Sequence, residues 1–190
     1  MNPESHLIYP LNEFYEQLGL PQPAAAQVEG RDVPEPYRSL LVHDRDMTPT
    51  LEDAHNRTIQ LRVLQYTVAG NILSRQVVLV PENETRPVAF GAIKINLEHF
   101  HGEAKRLVLE RRQPLGTILH TQGMEHSGHA DAYIRITPDA LIHDALSLRE
   151  PTTLYGRRKA MVDAGGRILA QVVEILAPRN GTSRTERTGA

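Results

Sequence analysis

Two charged residues fall where the alternation of a β-strand would bury them. Near the C-terminus, Ile168, Ala170, Val172, Glu174 and Leu176 occupy alternate positions of a β-branched run, so Glu174 shares one face with four apolar side chains. An earlier run repeats the pattern with Leu73, Arg75, Val77 and Leu79, which isolates a guanidinium among aliphatic neighbours. A charge on a core face costs several kcal/mol unless it is paired or meets a ligand. Two readings are open: Arg75 and Glu174 pair with each other or one row faces solvent at a sheet edge, or both line a pocket with aliphatic walls, one cation and one acid. A third run holds Arg157, Arg158 and Lys159, and alternation sends Arg158 to the face opposite its neighbours. Such a basic run is commonly a solvated edge. An arginine turned inward could instead join Arg75 in binding a dianion through forked hydrogen bonds.

Other chemistries find less support. The chain has no cysteine, which removes a thiol nucleophile, a disulfide framework and a cysteine-ligated zinc site. His99-x-His101 and His126-x-x-His129 have spacings that zinc could use. Neither lies in a helical His-Glu-x-x-His motif, and the glycine- and histidine-rich residues 122–129 read as a surface loop. Ser127 stands beside histidines but in no Gly-x-Ser-x-Gly elbow, and no glycine-rich phosphate-binding motif follows any strand. The expectation is a site with neither metal nor cofactor.

With 21 Lys+Arg against 23 Asp+Glu, both signs scattered, the net charge of -2 gives no electrostatic ground for binding nucleic acid or an anionic membrane. Residues 1–15 carry neither a basic leader nor a long apolar run, and no later run approaches a membrane span. These features read as a soluble, cytoplasmic protein of one domain, 190 residues long.

The elements that must carry these residues are marked by their turns. A short helix is expected within residues 7–20, followed by a connector bracketed by Pro21, Pro23, Pro34 and Pro36. Helices are expected from Tyr37 and from Thr48 as N-cap, with Met47 between them. Residues 58–68 and 72–80 form a hairpin about Gly70-Asn71, and residues 87–95 a third strand. Residues 103–112 have helical periodicity, and Pro114-Leu115-Gly116 starts another short helix or turn. A strand at 130–136, a short helix capped by Thr137, and a hairpin of 152–162 with 167–176 about Gly165-Gly166 complete the pattern. Residues 179–190 are almost free of apolar side chains and read as a disordered tail. The class is α+β with a largely antiparallel sheet: an N-terminal helix and Pro-rich connector over 1–35, one domain over 36–178, and the tail.

The segments Leu40-Leu41-Val42-His43-Asp44-Arg45-Asp46-Met47-Thr48, Ser74-Arg75-Gln76-Val77-Val78-Leu79, Pro114-Leu115-Gly116, Leu154-Tyr155-Gly156-Arg157-Arg158 and Glu174-Ile175-Leu176-Ala177-Pro178 resemble, in order and spacing, the chorismate pyruvate-lyases. The resemblance covers residues 36–178. It implies an antiparallel sheet flanked by helices and conversion of chorismate to 4-hydroxybenzoate and pyruvate without a cofactor. It also implies that Arg75 binds a substrate carboxylate, that Glu174 is the pocket acid, and that Met47 and Leu115, otherwise read as core packing, close the site. Arg157 and Arg158 are further candidates for substrate binding. Gly91-Ala92-Ile93 departs from the family's common Gly-Arg-Thr, removing one basic group expected near the site, and residues 122–129 also differ. Effector-binding domains of some transcription regulators resemble the same fold. The alternative function is therefore a non-catalytic small-molecule-binding domain, or a lyase relative acting on another carboxylated ring.

Overall fold

Positive backbone φ at Gly70 and Gly166 turns the chain between two pairs of long strands, as the turn composition predicts. The computed structural model describes residues 7–178. Its elements in chain order are α1 (Leu11–Leu18), β1 (Ala25–Val28), α2 (Tyr37–Leu41), α3 (Met47–His55), β2 (Ile59–Ala69), β3 (Ile72–Pro81), β4 (Ala89–Asn96), α4 (Gly102–Glu110), α5 (Leu115–Thr121), β5 (His126–Ser127), β6 (Ala130–Ile136), α6 (Ala140–Ala145), β7 (Leu154–Asp163) and β8 (Ile168–Leu176). The strands make one antiparallel sheet in the order β1-β6-β7-β8-β4-β3-β2, with the short β5 beside β7. The α+β class expected from sequence is the class observed.

Register fixes which side chains share a face. Arg75, Ile93, Val172 and Lys159 stand opposite one another across β3, β4, β8 and β7, and Val77, Gly91, Glu174 and Arg157 form the next row on the same face. The reverse face carries Val78, Phe90, Ala92, Val173 and Ile175, packed against Leu11, Phe14 and Tyr15 of α1 and Ile142 of α6. On the first face two apolar clusters leave a gap between them. Leu73, Ile93 and Met161 pack beneath α4 and α5, while Leu79, Ala89 and Leu176 pack beneath α2 and α3.

Several elements differ from expectation. Residues read as a connector before the domain are built into it: β1 extends the sheet by pairing with β6, and Leu11, Phe14 and Tyr15 are fully buried. The Ala-Ala-Gln-Val strand has little strand propensity of its own and is held by its partner. The cap of α6 is Asp139 rather than Thr137, its carboxylate accepting from the Ile142 N–H at 3.0 Å. Likewise α3 begins at Met47 with Asp46 at the N-cap position. Within residues 122–129, read as a loop, His126 and Ser127 pair with Asp163 and Val162 of β7. The tail expected over 179–190 lies outside the described residues.

Because α1 belongs to the core, Phe14→Ala should lower the unfolding free energy by about 3–5 kcal/mol, the usual loss for a buried phenylalanine. Urea denaturation reads this; a change near zero would return residues 7–35 to the status of an appendage.

Candidate functional site

Between the two clusters lies a cavity of ≈ 90 Å³ whose walls include Arg75, Val77, Gly91, Val172 and Glu174 from the sheet. Its cover comes from two separate segments, Met47–Thr48–Pro49 at the start of α3 and Leu115–Gly116–Thr117 at the start of α5. Met47, Arg75, Leu115 and Glu174, proposed from sequence, thus border one space. An engineered apolar cavity that admits benzene is larger, roughly 150 Å³. A ring-sized occupant therefore enters only if the covering segments yield.

Arg75 is 1% exposed. One Nη donates to the Gln113 carbonyl at 3.0 Å, and the Nε and other Nη find no acceptor. Burial, with the Arg111 charge nearby, brings its pKa down to about 10. The folded value lies below that of a free arginine, so the charge penalises folding in full below pH 10 and stability rises as pH climbs past it. Arg111 itself lies against the Tyr66 ring at 3.9 Å and donates to the Leu109 carbonyl, bringing no counter-charge. Arg75 is therefore a buried cation held without an anion among the described residues.

Glu174 does not pair with Arg75. Its partner is Arg157, directly opposite on β7, whose Nε donates to Oε2 at 2.7 Å. Arg157 is fully buried, and its remaining N–H groups donate to the carbonyls of Leu41 (3.2 Å), His43 (2.9 Å) and Arg45 (3.0 Å). The His43 ring donates from Nε2 to the Leu40 carbonyl, and its Nδ1 faces Arg157 at 3.4 Å. Burial first, and the Arg157 charge second, lower the His43 pKa, which suits a neutral ring there. Arg157 thus fastens the segment leading into α3 onto the sheet.

Lys159, 3% exposed, reaches Asp46 Oδ1 at 3.1 Å. The other oxygen of Asp46 accepts from His126 Nε2 at 3.0 Å. Although Asp46 occupies the N-cap position of α3, its side chain caps nothing and is spent on these two partners. Burial raises its pKa, but the His126 hydrogen bond and the Lys159 charge outweigh this and hold the carboxyl below the usual range. Asp46 also abuts α5: a Cβ on Gly116 would stand 2.4 Å from Oδ2, so only glycine permits the approach. A second contact, His129 Nδ1 to Asp44 Oδ1 at 2.7 Å, ties the same two segments at the surface.

The remaining candidates lie elsewhere. Arg158 points to the other face and pairs with Asp131 at 2.8 Å, so it does not reach the cavity. The basic run is no sheet edge, since β7 sits between β6 and β8. Lys94, the basic residue nearest to position 92 on β4, binds Glu13 of α1 on the reverse face. Among the described residues no group of three or more His, Asp or Glu side chains is placed to hold a metal ion. His99 meets Asn96, and His126 and His129 each meet a carboxylate. Sequence reading missed Asp46, Lys159, His126 and Gly91 as parts of the site. Lys159 had a usable signal, because it shares strand parity with Arg157; the contacts of Asp46 span long stretches of chain and left none.

Neither a protein-family model nor a curated protein sequence matches the chain. Solved structures do. The effector domain of PhnF from Mycobacterium smegmatis superposes with a TM-score of 0.53 at 13% identity, over 69% of this chain and 87% of that one. The longer PhnF structure gives 0.52 at 13% identity, over 70% of this chain but only 63% of that one. The chain therefore shares the fold of that effector domain, a chorismate-lyase-like antiparallel sheet flanked by helices. No described helix is long and apolar enough to cross a membrane.

The two buried arginines should respond oppositely to replacement. Arg75→Met removes an uncompensated charge and is expected to stabilise the ligand-free protein by about 1–3 kcal/mol, whereas Arg157→Met strands Glu174 and three carbonyls and should cost about 3–5 kcal/mol. Chemical denaturation of both variants decides; equal destabilisation would mean that Arg75 has a counter-ion in solution.

Proposed function

We propose that the chain is a small-molecule-binding domain of the sensor type, which takes a carboxylated ring compound into the cavity between the sheet and the starts of α3 and α5. The observation that carries this reading is the unsatisfied guanidinium of Arg75 in a largely apolar cavity. Its Nε and one Nη carry N–H groups that no acceptor in the described residues meets, and a ligand carboxylate supplies acceptors for them. Gly91 also borders the cavity; its lack of a side chain follows from the close approach of β8, because a Cβ there would stand 2.0 Å from the Val173 carbonyl. The likeness to an effector domain supports binding without turnover.

Ligand at a hundredfold excess over its Kd stabilises a folded protein by about 2.7 kcal/mol, which for a domain of this size is a melting shift of about 5–10 °C. Such a shift is expected with 4-hydroxybenzoate or a related ring carboxylate, and its loss in Arg75→Met. A wild-type protein indifferent to a panel of ring carboxylates would overturn the proposal.

A second reading, chorismate lyase activity, is favoured by one observation: Glu174 borders the same cavity as Arg75. Elimination of pyruvate from chorismate needs a substrate held by its carboxylate, shielded from water, with an acid or base near the ring. On this reading Arg75 anchors the carboxylate and Glu174 orients the ring hydroxyl or moves a proton. Incubation with chorismate should then release 4-hydroxybenzoate and pyruvate; no product above the spontaneous rate at stoichiometric protein would remove this reading and leave the binding domain.

A further inference from the structure

The charges around the cavity do not balance, and the imbalance is one. Glu174 pairs with Arg157, and Asp46 with Lys159 and, through its other oxygen, His126. Among the described residues lining the cavity, Arg75 is the one charge left without an opposite partner. A ligand bearing a single carboxylate would complete the set. A second carboxylate on the same ring would meet Glu174, whose cation is already engaged, or Lys159, whose Nζ is taken by Asp46.

Resting on the reading of this cavity as a carboxylate-binding site, we propose that it selects singly charged ring carboxylates over doubly charged ones, and that Asp46 is the residue that sets this selectivity by occupying Lys159. The geometry supports a role for Lys159 as a latent second anion site. It stands in register with Arg75 across β3, β4, β8 and β7, three strand spacings or about 14 Å between Cα atoms, with both side chains on the cavity face. Two long cationic side chains facing each other over that span bracket a ring with a carboxylate at either end. Asp46 blocks one end of that bracket. It is itself fixed by His126 and by its seat against Gly116, so a free carboxylate must displace a carboxylate that is already held in place. Specificity of this kind comes from a built-in competitor for Lys159.

The test uses the full chain with benzoate and terephthalate, which differ by one carboxylate on the same ring. Calorimetric titration should give wild-type protein at least a tenfold preference for benzoate. Asp46→Asn uncovers Lys159 and should shift the ratio toward terephthalate by tenfold or more; Asp46→Asn/Lys159→Met should lose that gain. Circular dichroism establishes that each variant is folded, and the wild-type ratio stands independently of the variants. Terephthalate binding as tightly as benzoate, or an unchanged ratio in folded Asp46→Asn, would overturn the selectivity while leaving a carboxylate site intact. Failure of the wild type to bind either compound would instead overturn the carboxylate site itself, and the selectivity with it.

Discussion

Arg157 is the joint on which the site is assembled. A guanidinium in the middle of a sheet, with no solvent to share its charge, survives only when its donors are met. Here they are met by Glu174 on the neighbouring strand and by three carbonyls of the segment entering α3. The bonds to Leu41, His43 and Arg45 hold a stretch that has no regular secondary structure of its own across most of its length. Everything immediately downstream inherits that placement, including Asp46 beside Lys159 and Met47 over the cavity. The same interaction removes Glu174 as a counter-ion for Arg75. One ion pair therefore closes one wall of the cavity and leaves the opposite wall charged.

An unbalanced buried cation is a burden on stability that the rest of the fold must offset. The reverse face of the sheet supplies the apolar packing to do so, with α1 and α6 covering Val78, Phe90, Val173 and Ile175. That division explains why the N-terminal segment is part of the domain: without α1 that apolar layer would be exposed. It also explains why the cavity face can tolerate two glycines at crowded points. Gly91 gives up a side chain to let β8 approach at the Val173 carbonyl, and Gly116 gives it up to let Asp46 approach α5.

What was legible in the sequence was whatever depends on local periodicity. The two-residue repeat of a strand put Arg75 and Glu174 each among apolar side chains of its own strand and set Arg158 opposite Arg157 and Lys159, and the register agrees, bringing Arg75, Glu174, Arg157 and Lys159 to one face. The hairpins were legible because their turns require glycine or asparagine. Which strands lie side by side was not. β8 follows β7 in the chain but also pairs with β4, more than seventy residues earlier by number, and nothing local says that Glu174 faces Arg157 and lies two strands from Arg75. The contact of His126 with Asp46 is hidden for the same reason, and it turns a glycine-rich stretch read as a surface loop into a clasp on the segment entering α3. β1 was illegible because its order comes from β6 rather than from its own composition.

The departure at Ala92 can now be weighed by position rather than by type. Ala92 is buried in the layer that includes Phe14, Val78 and Val173, while its neighbours Gly91 and Ile93 belong to the cavity face. An arginine side chain at 92 would be directed into that apolar layer, where desolvation would cost several kcal/mol with no acceptor prepared for it. In this chain the position is a packing position. Alanine there removes nothing from the cavity, whose unbalanced charge is supplied by Arg75 alone. On the cavity side the charge that bears on ligand choice is instead Lys159 with its resident carboxylate, Asp46. The chemistry of this site therefore turns less on a missing arginine than on a lysine that is present and already occupied.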